Sequence, residues 1–296
     1  MAFNLSEMIS GALLKMGTLR VSVTTSSGSS ISAIDNSLVG QTSDDDYTRA
    51  PWFCLTPSAT GILAGEMAEV SSYSAGTGTF AFASGAFSSS VESKTTYGVG
   101  TPEFRLQFLI EKANEALRGL GDLDNVDVNT VTTSGSQTEY GTPPLSHRSA
   151  PIRVDVQTVT GSSATDNGWV TIHDWSYQPT NSASSGLIIL NYLPPAARKL
   201  RYWYRAAHSR ITAYNAGIDE RVHPELAILA MVEKLYEFRN SLNRGSLPFD
   251  IQRWNDAKVQ LQEARARYPI WQQARKPKLI VLGDEIIPRM TVKIGP

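Results

Sequence analysis

The sequence contains one cysteine, four histidines and no long hydrophobic run among its 296 residues. A single cysteine, Cys54, cannot close an intrachain disulfide or build a multi-cysteine zinc site, which fits synthesis in a reducing compartment. No stretch approaches the roughly 20 consecutive apolar residues that a membrane-spanning helix needs. The first residues lack a basic opening and an apolar block, so we expect no signal peptide.

Motifs of the common catalytic sites are also missing. The sequence has no Gly-x-Ser-x-Gly elbow, no Gly-x-x-x-x-Gly-Lys loop, no complete Gly-x-Gly-x-x-Gly and no His-Glu-x-x-His. His147, His173, His208 and His223 are never spaced as paired metal ligands on one helix or strand. We therefore predict a protein that is not an enzyme and that has neither a cofactor nor a metal. His223 precedes Pro224 and is explained most simply as a helix-start residue.

Charge and polarity change along the chain. Residues 1–100 carry 4 basic and 8 acidic side chains, residues 101–200 carry 7 and 10, and residues 201–296 carry 16 and 10. Serine and threonine fall from 30 in the first 100 residues to 5 in the last 96. The first part is therefore typical of β structure with polar turns, and the last part is typical of helices. The positive charge of the last part favours polyanionic partners.

The hydrophobic patterns predict an α+β protein in which antiparallel β-sandwich modules are combined with an α-helical hairpin or bundle of adaptor type. Helices are predicted to begin at Pro102, at Pro224 and at a cap formed by Asp250. Residues 26–30 and 122–149 are predicted to be loops. The predicted parts are an N-terminal amphipathic helix (1–18), a Ser/Thr-rich β module (19–100), a bundle helix (101–121), a loop (122–149), a small β-sandwich (150–210), a helical hairpin (211–276) and a C-terminal β tail (277–296).

The predicted hairpin and the segment after it carry basic residues that can contact phosphates or a partner protein. One copy has too few of them for tight DNA binding, but a ring of copies would multiply the charge around a channel and hold duplex DNA without reading its bases. A solvated helix face explains the same charges equally well. The candidates are Arg253, Lys258, Arg265, Arg267, Arg275, Lys276 and Lys278.

Beyond Pro277, two short apolar runs predict strands that have no obvious partner in the rest of the sequence. Strands of this kind add to the open edge of a neighbouring sheet, so we expect them to clasp a second subunit. The inter-subunit candidates are Leu279, Ile280, Val281, Leu282, Met290, Val292 and Ile294.

The order of the parts resembles that of neck proteins of tailed bacteriophages, which join the portal to the tail. The resemblance rests on the strand Lys199-Leu-Arg-Tyr-Trp-Tyr-Arg, the acidic turn Ile218-Asp-Glu, the helix that starts His223-Pro-Glu-Leu, and the segment Ile110-Glu-Lys-Ala-Asn-Glu-Ala-Leu. It implies a virion protein, a head-to-tail connector or adaptor that is made in the host cytoplasm and forms a homo-oligomeric ring, commonly of about twelve subunits. The implied partners are further copies of the chain, the portal protein, a tail or stopper protein and the double-stranded DNA in the channel, with no membrane contact.

Two further groups of residues keep an alternative open, a carbohydrate-binding or glycan-cleaving β-rich protein of a phage tail. Trp169, Trp175 and Trp203 have the chemistry to stack on a sugar or a base. Acidic clusters suit a hard cation such as calcium, although the EF-hand spacing is missing. Core packing of the aromatic residues and solvation of the loop acids are the simpler interpretations. The acidic candidates are residues 44–46 together with Asp122, Asp124 and Asp127.

Overall fold

The computed structural model describes residues 3–141, 150–158, 168–179, 186–242 and 248–270. These residues contain four α-helices and three antiparallel sheets, so the protein belongs to the α+β class, as predicted. They divide into two compact units, of which the first consists of Met1–Asp122 and Ala207–Ile270 and the second lies within Leu123–Ala206. None of the helices in the described part is both long and apolar enough to cross a membrane.

Helix α1 (Leu5–Met16) opens the first unit. Its start is fixed by a capping box, in which the Asn4 side chain accepts the N–H of Glu7 at 2.9 Å and the Glu7 carboxylate accepts the N–H of Asn4 at 3.0 Å. Gly17 ends the helix in a left-handed conformation, with a φ of 71°. The predicted amphipathic helix is therefore confirmed. Its fully buried side chains are Leu5, Met8, Ile9, Ala12 and Leu13.

A seven-stranded antiparallel sheet makes up most of residues 19–100. Its strands are β1 (Arg20–Val23), β2 (Ser26–Ser29), β3 (Ser32–Ile34), β4 (Pro51–Thr56), β5 (Met67–Ser74), β6 (Thr79–Phe82) and β7 (Thr96–Val99). Their order across the sheet is β1-β7-β4-β5-β6-β3-β2, so β1 and β2 form its two edges. The sheet contributes to a core of aliphatic and aromatic side chains, in which Trp52 stacks on Tyr97 with ring centres 5.4 Å apart.

The serine-rich stretch 26–30, predicted to be a loop, instead contains β2 and begins a hairpin with β3. The two strands approach closely because Gly28 has no side chain. A Cβ at that position would lie 2.1 Å from the carbonyl oxygen of Ser32. Composition suggested a loop, but the missing Cβ permits a close pairing that no larger residue would allow.

A buried carboxylate, that of Asp35, stabilises the interior of this sheet. It accepts hydrogen bonds from the hydroxyl of Ser22 at 2.7 Å, the hydroxyl of Tyr97 at 2.8 Å and the N–H of Ser37 at 3.0 Å. Burial alone would raise the pKa of Asp35, but these hydrogen bonds outweigh burial and lower it. The carboxylate is therefore ionised and fully engaged at neutral pH.

Three more helices complete the first unit, α2 (Leu106–Gly119), α3 (Pro224–Leu242) and α4 (Pro248–Arg267). α3 packs against α1, α2 and α4, which explains why it is apolar on several sides. α4 packs against α3, and its buried side chains are Ala257, Leu261 and Ala264. Residues 243–247 between the two helices lie outside the described residues. The buried residues of α3 are Leu226, Ala227, Leu229, Ala230, Met231, Val232, Leu235 and Tyr236.

The second unit contains two antiparallel sheets that share one core. The four-stranded sheet has the order β11-β10-β14-β8, from β8 (Asp122–Thr132), β10 (Arg153–Gln157), β11 (Trp169–Ile172) and β14 (Lys199–Ala207). The three-stranded sheet has the order β12-β13-β9, from β9 (Glu139–Gly141), β12 (Trp175–Pro179) and β13 (Gly186–Leu190). Both sheets contribute to the same core, so they pack as a small sandwich. The core residues are Tyr140, Val154, Ile172, Ile188, Leu190, Leu200 and Tyr202.

The prediction of a loop over 122–149 is wrong for the strands β8 and β9. The polar sequence of β8 suggested a loop, but Asp124 of this strand is buried and pairs with Arg205 of β14 at 3.0 Å. A partner distant in the sequence therefore satisfies a side chain that looks exposed in the sequence. β9 is short, but it places Tyr140 in the core. The sandwich therefore includes strands well before residue 150, where its start was predicted. Residues 169–177 of the predicted sandwich are divided between β11 and β12, which belong to different sheets.

Two helix starts also differ from the prediction. α2 begins at Leu106 instead of Pro102, because Phe104 is fully buried and its N–H bonds to the carbonyl of Thr101 at 3.2 Å in a turn. Glu69 of β5 then accepts the N–H of Leu106 at 3.3 Å, which places a carboxylate at the positive end of the helix. α4 begins at Pro248, so Asp250 lies within its first turn and is not its cap.

Candidate assembly surfaces

The segment that connects β14 to α3 is held by buried His208 and by the half-buried pair Asp219 and Arg221. The Nε2 atom of His208 accepts the N–H of Asp219 at 3.1 Å, and its Nδ1 lies 2.8 Å from the carbonyl oxygen of Ser209, so Nδ1 carries the proton. Asp219 accepts hydrogen bonds from Nε and Nη2 of Arg221 at 2.7 and 2.6 Å. These hydrogen bonds hold the pKa of Asp219 below its usual range. The acidic turn is thus a fixed structural element.

The same segment is attached to α1 and α2. Asn114 of α2 is buried, and its side-chain amide donates to the carbonyl of Ile211 at 2.7 Å and accepts the N–H of Ile211 at 2.8 Å. The N–H of Leu5, which has no partner within α1, donates to the carbonyl of Ala216 at 3.1 Å. Backbone hydrogen bonds and one amide side chain therefore fix the approach of the chain to α3.

The four basic candidates that fall in the described part of the chain all lie on α4. Arg265 donates from Nη2 to the carbonyl of Gly119 at 3.0 Å, where the last carbonyls of α2 lack partners within the helix. The Nζ atom of Lys258 lies 3.2 Å from the centre of the Trp254 ring. Two of the four cations thus already have partners within the subunit, Arg265 on α2 and Lys258 on its own helix.

The remaining two differ in exposure. Arg253 is half-buried, whereas Arg267 is exposed. Arg267 is therefore the clearest candidate on α4 for contact with a phosphate or a partner. Outside the described residues lie Arg275, Lys276, Lys278 and all seven inter-subunit strand candidates, Leu279, Ile280, Val281, Leu282, Met290, Val292 and Ile294.

The three tryptophans proposed for stacking are divided between two sheets. Trp169 and Trp203 lie on the face of the four-stranded sheet opposite the core, with the guanidinium of Arg201 at 4.7 Å from one ring centre and 5.2 Å from the other. Trp175 lies on the three-stranded sheet and packs against the core. The structure therefore does not bring the three rings to one sheet face.

A buried carboxylate that the sequence analysis did not identify organises the face with Trp169 and Trp203. Asp155 accepts hydrogen bonds from Nε of Arg153 at 2.6 Å, Nε1 of Trp203 at 2.8 Å and Nε of Arg201 at 2.9 Å. Burial alone would raise the pKa of Asp155, but these hydrogen bonds outweigh burial and lower it. Asp155 lies directly opposite Arg201 in the register of β10 and β14, a pairing of opposite charges that is visible only once the strands are paired.

The acidic clusters take part in local hydrogen bonds. Each carboxylate of residues 44–46 accepts one from a nearby N–H or hydroxyl, at 2.6 to 3.0 Å, and Asp124 is paired with Arg205. Within the described ranges, no group of three or more His, Cys, Asp or Glu side chains is arranged to hold a metal ion.

Burial raises the pKa of the Cys54 thiol to about 12, with a smaller contribution from Glu66, so this thiol is inert at neutral pH.

The outer edge of β1 is a surface that the sequence analysis also did not identify. Val21 and Val23 lie on the same side of this edge strand and are 46% and 45% exposed. The alternation of Val21, Ser22 and Val23 was visible in the sequence. That β1 would be an edge could not be seen there, because strand order depends on pairings distant in the chain.

No family model matches this chain, and no curated protein matches it. Function must therefore be inferred from the chain's own residues. Among the described surfaces, those suited to contact with other proteins are the outer side of α4 and the open edge of β1.

Proposed function

We propose that this chain is a structural protein of the neck of a tailed bacteriophage, a head-to-tail connector of the adaptor type. Roughly twelve copies form a ring between portal and tail, and duplex DNA passes through its channel. The protein is made in the host cytoplasm, resides in the virion, and acts through shape complementarity and repeated contacts instead of catalysis.

The observation that carries this proposal is the arrangement around α3. β14 leads through the turn fixed by Asp219 and Arg221 into a helix that starts at Pro224 and packs against α1, α2 and α4. This succession of strand, acidic turn and proline-started helix is the one on which the resemblance to neck proteins rests. Because α3 is central among the helices, the surfaces left for neighbouring subunits are the outer sides of the other helices and the sheet edges.

The oligomeric state in solution tests the proposal. The subunit mass is 32.3 kDa, so a ring of twelve would have a mass of about 390 kDa by light scattering after size exclusion. Electron microscopy of that peak is expected to show closed rings with a central opening. A chain that stays monomeric at high concentration and does not bind portal or tail preparations contradicts the proposal.

DNA binding separates a connector from a monomeric nucleic-acid-binding protein. Each phosphate contact contributes about −0.9 to the slope of log affinity against log salt, so a ring that repeats a few contacts per subunit should give a steep slope and weak, sequence-independent binding. Arg267→Gln is expected to reduce that slope. Arg265→Gln is a poor probe, because Arg265 also caps α2. Tight binding by the monomer would favour the nucleic-acid-binding protein instead.

A further inference from the structure

The seven-stranded sheet ends at β1, whose outer side has no paired strand in the described part of the chain. Thr24 donates its N–H to the carbonyl of Thr95 at 2.9 Å, which directs the backbone of Thr24 towards β7. Backbone groups alternate in direction along an antiparallel pair, so the N–H and C=O groups of Val21 and Val23 are directed away from β7. β1 thus offers the hydrogen-bonding template of an open edge.

The side chains of β1 distinguish this edge from the opposite one. Val21 and Val23 form an exposed apolar row, while the hydroxyl of Ser22 between them donates to buried Asp35 and fixes the strand. β2, at the other edge, has the sequence Ser-Ser-Gly-Ser and offers no apolar row. An open edge with an apolar row favours addition of another strand, so β1 is the edge suited to a partner.

A segment of the same chain has the pattern that such an edge accepts. In residues 290–294, Met, Val and Ile alternate with Thr and Lys, which is the period of a half-buried strand. The 19 residues of the preceding segment 271–289 span at most about 65 Å when extended, which allows contact with a neighbouring subunit. Residues 271–296 have a net charge of +3 and residues 19–100 have −4, so donor and acceptor attract each other.

We propose that residues 290–294 of one copy add as a strand to the outer edge of β1 of the next copy. The inference rests on the proposed ring, and it supplies what a ring requires, a head-to-tail contact in which the two sides use different surfaces. The bound strand would pair with the backbone of Val21 and Val23 and cover their side chains.

Two variants of the full chain separate the two sides of this contact. Val292→Asp disables the donor strand. The double variant Val21→Pro, Val23→Pro disables the acceptor, because it removes two N–H groups that point away from β7 and preserves the donors to β7. Each variant alone is expected to reduce the ring fraction at least tenfold in light scattering. A 1:1 mixture should give only a dimer of about 65 kDa, because one intact donor meets one intact acceptor.

Two controls exclude misfolding and a general effect of added charge as causes of ring loss. Should the proline variant not fold, judged by circular dichroism, Val21→Lys with Val23→Lys blocks the edge by charge instead. Leu63→Lys, in the turn between β4 and β5 where the leucine is 56% exposed, is the control for an added charge at an exposed apolar residue and should leave the ring intact. The strand addition is wrong if rings persist in both blocking variants, or if the mixture gives no dimer. In either case, a ring formed by the wild type still supports the proposed function. A wild-type monomer overturns both.

Discussion

Replacement of Asp155 by alanine removes the carboxylate that organises one face of the four-stranded sheet. Asp155 is fully buried and accepts hydrogen bonds from Arg153, Arg201 and Trp203 at 2.6 to 2.9 Å. Arg201 is only 8% exposed, so the variant removes the counter-charge of a buried guanidinium, which costs about 3 to 5 kcal/mol. The unfolding equilibrium of the second unit should therefore shift by roughly a hundred- to several-thousand-fold.

Urea unfolding followed by tryptophan fluorescence measures this effect, because Trp169 and Trp203 lie on the affected face. Asp155→Asn keeps the shape and one acceptor oxygen but not the charge, so we expect a smaller loss of about 1.5 to 3 kcal/mol. Glu139→Ala removes an exposed carboxylate of the same unit and should change the free energy of unfolding by less than about 0.5 kcal/mol.

The same carboxylate makes stability depend on pH. Burial tends to raise the pKa of Asp155, but the hydrogen bonds from Arg153, Trp203 and Arg201 lower it below the unfolded value of about 3.9. The stabilisation is therefore fully present above the unfolded pKa and is lost as the pH falls through the lower folded pKa. Asp155→Asn should flatten this acid-induced loss. A destabilisation below about 1 kcal/mol for Asp155→Ala at pH 7, or equal acid profiles for wild type and Asp155→Asn, would refute the reasoning.

Three further predictions concern the first unit. Tyr97→Phe removes the donor to buried Asp35 and should lower the free energy of unfolding by about 1 to 3 kcal/mol in urea titrations. Gly78→Ala should destabilise more than Gly85→Ala in thermal unfolding: both glycines have positive φ, but only at Gly78 would a Cβ lie 2.1 Å from a backbone oxygen. The Cys54 thiol, with its pKa raised to about 12, should resist a disulfide reagent at pH 8 until the chain is unfolded in denaturant.

Local sequence patterns predicted the elements whose own residues show the spacing of a buried face. α1 and α3 have apolar residues at helical spacing; α1 lies within the predicted range 1–18, and α3 begins at Pro224, as predicted. β8 could not be predicted in the same way, because Asp124 is polar in the sequence and becomes buried only through its pair with Arg205, 81 positions along the chain. The start of α2 depends in the same sense on Glu69, which belongs to a strand of the sheet.

The candidate sites, too, were predicted only where they depend on local sequence. The sequence predicted that basic residues would concentrate on the last helix, and four of them do lie on α4. It could not predict that Arg265 would cap α2, because this contact depends on how the helices pack. The contact of Lys258 with Trp254, four residues earlier on the same helix, follows from helix periodicity alone. Strand order is equally invisible locally, so the edge position of β1 appears only in the folded chain.

The charge gradient of the chain has two explanations, DNA in the channel and attraction between subunits, and their salt dependences differ. Residues 201–296 have a net charge of +6, of which +3 belongs to residues 271–296, and two described cations of α4 already have partners within the subunit. If the charge serves mainly to join subunits, added salt should dissociate the ring itself, because exposed charges are screened over about 8 Å at physiological ionic strength. If it serves mainly to hold DNA, salt should release DNA from a ring that stays intact. Light scattering and DNA binding measured across the same salt series distinguish the two, and a ring stable in high salt would contradict an electrostatic contribution to strand addition at β1.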